Sequence, residues 1–194
     1  MNVAPTATGP RHPARLLSIV LHPFAVFAAL ALAAAARLDP ASFARTATGI
    51  GVATAVMALF ILQRRRSGRW QTVDASRAVE RPLLYAVVLV VVVGYWLWMG
   101  GRGSASSPGV LAAVAMLCVA GIANRWIKLS LHMASLAFAS VAAWALWPVA
   151  GAVALALLPA LGWARLRMAR HALPEVLGGA VLGLAAGTLP LLAR

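Results

Sequence analysis

Long apolar runs separated by short, basic connections set the pattern of this chain. Seven stretches come close to the ~20 apolar residues with which a helix crosses a hydrocarbon core. They run approximately from Leu16 to Ala36, Thr46 to Leu62, Leu83 to Met99, Gly109 to Ala123, Leu131 to Trp147, Val149 to Trp163 and Val176 to Ala193. Backbone amides in lipid must be satisfied within the segment, so these runs predict helices, even the β-branched run from Val87 to Val93. The Val149 to Trp163 run follows Pro148 and contains Pro159, which a membrane helix tolerates where neighbours satisfy the freed carbonyl. The expected fold class is all-α, a polytopic transmembrane helical bundle with six to seven spans.

Composition sharpens this picture. Of 194 residues, 62% are hydrophobic and 11% charged, which excludes an ordinary water-soluble domain and a disordered chain. Residues 1–13 hold three prolines and little hydrophobicity and read as a disordered tail, followed by a single membrane domain over residues 14–194. The first apolar run is longer than the core of a secretory signal and six others follow it, so it is read as a retained helix. The one cysteine, Cys118, lies inside an apolar run and reads as a packing residue.

Seventeen Lys and Arg against four Asp and Glu give a net charge of +13. The basic residues lie between apolar runs, with no basic stripe interleaved with aromatics, so they set topology and meet phosphate headgroups rather than nucleic acid. If all seven runs cross, Arg11, Arg15, Arg64, Arg65, Arg66, Arg69, Arg77, Arg81, Arg125, Lys128, Arg165, Arg167 and Arg170 share one side, against Arg37, Arg45, Arg102 and Arg194 on the other. The positive-inside rule makes the first side cytoplasmic in a multi-pass protein of the cell membrane. Trp96, Trp98, Trp126, Trp144, Trp147 and Trp163 fall near span ends, as an interfacial belt would. Gly178, Gly179, Gly183 and Gly187 mark a small-residue stripe for close helix packing in the last run.

With so few polar residues, each acid and histidine can be weighed singly. The acids are Asp39, Asp74, Glu80 and Glu175; the histidines are His12, His22, His132 and His171. His12 and His22 read as incidental, one in the tail and one near the start of the first run. His132 and His171 both sit at the basic boundary. In the first of two clusters, Arg125 to His132, Ser130 can cap the following helix, while Lys128 and His132 flank that helix start as an anion site with a proton donor. The second cluster, Ala164 to Gly179, has an imidazole, His171, four residues before Glu175. A carboxylate bonded to one imidazole nitrogen fixes the tautomer and leaves the other nitrogen able to attack. The plainer reading of this second cluster is a basic interfacial loop in which Glu175 caps the last helix.

Arg165, five residues, His171, three residues, then Glu175 and Val-Leu-Gly-Gly resemble the third signature of the type 2 phosphatidic acid phosphatase superfamily, Ser-Arg-x5-His-x3-Asp. Leu129-Ser130-Leu131-His132 resembles its second signature, Pro-Ser-Gly-His, and Arg81-Pro82 the end of its first, Lys-x6-Arg-Pro. The resemblance runs from about Arg81 to Gly187. It departs from the pattern at Ala164 for serine, Glu175 for aspartate, Leu129 and Leu131 for proline and glycine, and Asp74 for the first lysine.

The resemblance implies a phosphatase in which His171 attacks phosphorus, Glu175 orients its ring and His132 protonates the leaving oxygen. It further implies that Arg165, Lys128, Arg81 and Ser130, through its amide or hydroxyl, hold the phosphate oxygens. No metal and no cofactor are implied. The implied partner is an amphiphilic phosphorylated lipid, a lipid phosphate or an isoprenoid diphosphate; nothing in the sequence sets an oligomeric state. Two other classes stay open: a catalytically impaired relative that binds anionic lipid, and a membrane transport or assembly partner.

Overall fold

The structure, a computed structural model, describes residues 11–70 and 81–192. Residues 1–10 of the expected tail, Asp74, Arg77, Glu80 and Arg194 lie outside the described residues. Nine α-helices and two single 3₁₀ turns, with no strand, make up the described residues: α1 (Arg11–Val20), α2 (Pro23–Leu38), α3 (Phe43–Arg66), α4 (Arg81–Trp98), α5 (Ser107–Ala123), α6 (Leu131–Leu146), α7 (Pro148–Ala156), α8 (Leu158–Arg167) and α9 (Leu173–Leu192). Helix α1 starts at Arg11, within the last residues of the expected tail.

Prolines punctuate this architecture. Pro23, Pro108, Pro148 and Pro159 each lie in the first two positions of their helices, α2, α5, α7 and α8, where no intrahelical N–H is needed. Two predicted runs are therefore each split in two. Pro23 forces His22 out of the helical region, to φ −65° and ψ 141°, and separates α1 from α2. Pro159 likewise accompanies the break at Leu157 between α7 and α8.

Five helical stretches are long and apolar enough to cross a membrane: His12–Leu38, Pro40–Arg66, Arg81–Trp98, Pro148–Arg167 and Leu173–Leu192. The apolar helices α5 and α6 have 17 and 16 residues, shorter than those five. The chain is thus an all-helical bundle of membrane-protein character.

Helix α6 lies at its centre. Every residue from Met133 to Ser140 is buried, so α6 has neighbours on all sides. It packs most extensively on α9, then on α7 and α2, while α5 packs on α9 and α1 on α8. The α6/α9 contact depends on the glycine stripe. A Cβ on Gly179 or Gly183 would run into the Ser130 or Ala134 carbonyl of α6, so these positions let the two backbones touch. Helix α4 has no buried residue and packs with α3 and α5 at the periphery. Trp98, Trp126, Trp144, Trp147 and Trp163 are exposed, as headgroup-facing rings would be, whereas Trp96 donates from Nε1 to Ser107 Oγ at 2.8 Å and ties α4 to α5.

Candidate active site

The end of α8 delivers His171. After Arg167 the backbone turns through Ala169, at φ 51°, and the Ala169 and Arg170 amides donate back to the carbonyls of Leu166 and Arg165. This left-handed cap normally calls for glycine. It reverses the chain in three residues and sets His171 immediately before α9. Glu175, in the first turn of α9, accepts from the Ala172 amide at 3.1 Å and from His171 Nδ1 at 2.9 Å.

His171 Nδ1 also lies 3.2 Å from the Lys128 carbonyl oxygen. A carbonyl can only accept, so the ring proton resides on Nδ1, shared between Glu175 and Lys128, and the lone pair of the neutral ring is on Nε2. The His171 side chain is 6% exposed and its hydrogen bond with Glu175 is a local i,i+4 contact.

Two further bonds join the α5–α6 connection to this loop. Lys128 Nζ donates to the Arg170 carbonyl at 2.9 Å, and the Ser130 amide to the Glu175 carbonyl at 3.0 Å. The Ser130 amide, one of the two Ser130 groups expected at a phosphate, is therefore engaged within the protein. Ser130 occupies the N-cap position of α6, but its side chain makes no capping bond; its fully buried Oγ has no hydrogen-bond partner among the described residues. The helix start is instead tied down through backbone, by the α9 strut.

The other expected residues divide into two groups. His132, His171, Lys128 and Arg81 line one cavity of about 1120 Å³. Arg81 reaches it from the start of α4, with Nη1 donating to Asn124 Oδ1 at 3.3 Å. Arg165 and Ser130 do not line it. Arg165 is 6% exposed and its Nη1 donates to Ser18 Oγ of α1 at 3.4 Å, while its charge is near enough to act on His171. Among the described residues no group of three His, Cys, Asp or Glu side chains comes together as a metal site.

The cavity has a polar end and a long apolar body. Its wall runs along α2 from His22 to Leu38, about 24 Å at 1.5 Å per residue, and is continued by α3, α4 and α5. Phe27, Leu30, Met57, Val88, Val92, Met116 and Phe138 are among the apolar side chains along it.

Electrostatics keeps the polar end poised. Burial, and next the Arg165 guanidinium, push His171 below its usual imidazole range, against the opposing pull of Glu175. Both effects favour the neutral ring, whose lone pair is on Nε2. Burial and the neighbouring Arg81 charge also lower Lys128 from the usual lysine range.

Two residues of this region were not singled out from the sequence as site residues. His22 lines the same cavity, with its ring 5.2 Å from that of His132 and nearly perpendicular to it. Ser18 holds Arg165. The signal for His22 was present in the His22-Pro23 step, which marks a helix break and puts the histidine at a helix start. No protein-family model, curated protein or solved structure matches this chain.

Proposed function

We propose that the protein is an integral-membrane hydrolase, a divergent member of the type 2 phosphatidic acid phosphatase superfamily, that cleaves a lipid phosphate or isoprenoid diphosphate through a phosphohistidine. The observation that carries this reading is the His171 arrangement: Nδ1–H held by Glu175 and the Lys128 carbonyl, and the ring at the polar end of a lipid-sized apolar cavity. His171 Nε2 attacks phosphorus as the bond from phosphorus to the leaving oxygen breaks, and His132 gives that oxygen a proton. In the second half, His132 takes a proton from water, the water oxygen attacks the phosphohistidine, and inorganic phosphate leaves with His171 restored. Lys128 and Arg81 face the phosphate oxygens, while Arg165, itself buried, adds positive field that little solvent screens.

The apolar body of the cavity supports an amphiphilic substrate whose tail lies among α2, α3, α4 and α5. In this reading the chain crosses the bilayer seven times, with α1–α2 and α7–α8 each forming one broken crossing, and the catalytic end faces the cytoplasm because thirteen of seventeen basic residues lie on that side.

The test is phosphate release from a panel of lipid monophosphates and prenyl diphosphates by wild type and His171→Ala. Release by the wild type alone, with an acid-labile phosphoprotein trapped by rapid quench, is the expected result. Equal release by both proteins, or none from any substrate, overturns the proposal.

A further inference from the structure

The cavity wall is graded along α4. Arg81 lines it at the polar end, Tyr85 one helical turn further in, about 6 Å at 1.5 Å per residue, and Val88, Val91 and Val92 beyond. The Tyr85 ring lies over Gly121 of α5, three residues before Asn124, and is near enough to Arg81 for that charge to act on it. Asn124 lines the same cavity, and its amide has a fixed orientation. A guanidinium only donates, so Asn124 turns Oδ1 to Arg81 Nη1 at 3.3 Å and leaves its Nδ2 hydrogens to the other side. Among the described residues, neither those hydrogens nor the Tyr85 hydroxyl has a hydrogen-bond partner. Two uncharged donors thus border the cavity where its charged end gives way to its apolar body.

We propose that Tyr85 and Asn124 form a subsite for an ester carbonyl oxygen, which selects a diacylglycerol phosphate over a prenyl diphosphate. This deepens the hydrolase reading and rests on it. In a diacylglycerol phosphate the ester carbonyls lie a few bonds from phosphorus, between the phosphate and the tails, as the two donors lie between the cations and the apolar wall. A prenyl chain passes from its phosphate oxygen directly to hydrocarbon and leaves both donors unpaired in a largely apolar cavity. A site built to hydrogen-bond a substrate group discriminates against the analogue that lacks it.

The test compares a diacylglycerol phosphate with the dialkyl ether phosphate of equal chain length, which keeps the phosphate and the tails and lacks only the carbonyl oxygens. Tyr85→Phe keeps the ring over Gly121 and removes the hydroxyl. Asn124→Asp keeps an oxygen for Arg81 and removes the donor hydrogens; its added charge acts on both lipids alike, so the ratio between them isolates the carbonyl. KM and kcat for both lipids and a prenyl diphosphate are measured in detergent, with a melting curve for each protein. The expected result is a wild-type preference for ester over ether of about tenfold in kcat/KM, carried by KM, which falls to about two- to threefold in each variant. Dissociation constants of the two lipids in the His171→Ala background, which does not turn over, show the same preference and the same dependence on Tyr85.

Equal kcat/KM for ester and ether in the wild type overturns the proposal, and phosphate release from both keeps the hydrolase reading standing. An ester-to-ether ratio that neither variant alters also overturns it, in favour of a packing role for Tyr85 and an Arg81-holding role for Asn124. Release from the prenyl diphosphate alone overturns it as well. A wild type that releases phosphate from none of the three overturns the hydrolase reading and this proposal with it. If one variant fails to fold, the other decides.

Discussion

Replacing Glu175 with alanine tests how His171, the proposed nucleophile, is held. Two acceptors share the His171 Nδ1 proton, the Glu175 carboxylate at 2.9 Å and the Lys128 carbonyl at 3.2 Å. Were Glu175 the sole acceptor, its loss would free the ring to adopt the wrong tautomer, an effect worth about 10⁴ in rate in a serine protease triad. Here the Lys128 carbonyl remains and continues to accept, so the tautomer survives. What is lost is one hydrogen bond to a charged group, about 1.5–3 kcal/mol, which corresponds to a fall of about ten- to 150-fold in kcat. Glu175 also accepts from the Ala172 amide at the start of α9, so stability should drop by about 1 kcal/mol as for any lost N-cap. The pH profile adds an independent readout. His171 must be neutral to attack, so activity falls as pH drops through its pKa, which burial and Arg165 hold below 6.5. Glu175 raises that pKa, so the acidic limb of kcat/KM should move to still lower pH in Glu175→Ala. Steady-state rates from pH 4 to 9, with a melting curve for each protein, measure all three quantities. An unchanged rate would refute the orienting role, and a loss beyond about 10³ in a folded variant would refute the shared-acceptor argument.

Other expectations follow from particular contacts. Gly183→Ala places a Cβ against the Ala134 carbonyl, so α6 and α9 must separate; a loss of about 1–3 kcal/mol in detergent unfolding is expected, with activity falling because the backbone struts between the two loops stretch. Ala169→Gly relieves a left-handed alanine at φ 51° and should stabilise the protein by about 1 kcal/mol, read as a raised melting temperature with kcat unaltered. In its proposed role Lys128 binds phosphate only while protonated, so its lowered pKa should bring an alkaline rise in KM below the usual lysine range. Arg81 is a cause of that lowering, so Arg81→Gln should move the alkaline rise to higher pH while weakening binding at neutral pH. Arg165→Met removes the second-largest influence on His171 without touching the cavity wall, and should shift the acidic limb of the pH profile upward.

Helix formation and helix placement were legible to different degrees. The seven apolar runs each correspond to helix, because backbone polarity in an apolar chain leaves no other local solution. Their internal breaks at His22 and Leu157 are also written locally, in Pro23 and Pro159, although both runs are expected to be continuous from the sequence. The glycine stripe announced close packing but not its partner; that the stripe rests on Ser130, Ala134 and Phe138 of α6 is a matter of how two distant segments meet. The His171 and Glu175 pair was readable because both residues lie in one turn and the separation of four fixes their approach.

From its position ahead of α6, Ser130 is expected to cap that helix and to meet a phosphate through its amide or hydroxyl. Tertiary structure decided otherwise, by giving its amide to the Glu175 carbonyl 45 residues away and burying its hydroxyl. Arg165 was expected on the phosphate, yet its side chain lies against Ser18 and outside the cavity wall, since burial depends on α1 packing over α8, a contact with no local signature. His22 entered the pocket for the same reason, through the packing of α2 on α6. Composition and spacings within a few residues thus account for an all-helical, lipid-compatible chain with basic connections and a local histidine–carboxylate pair. Only the tertiary structure decided which basic groups border the cavity, which do not, and that a third histidine stands there, because those depend on contacts between residues far apart along the chain.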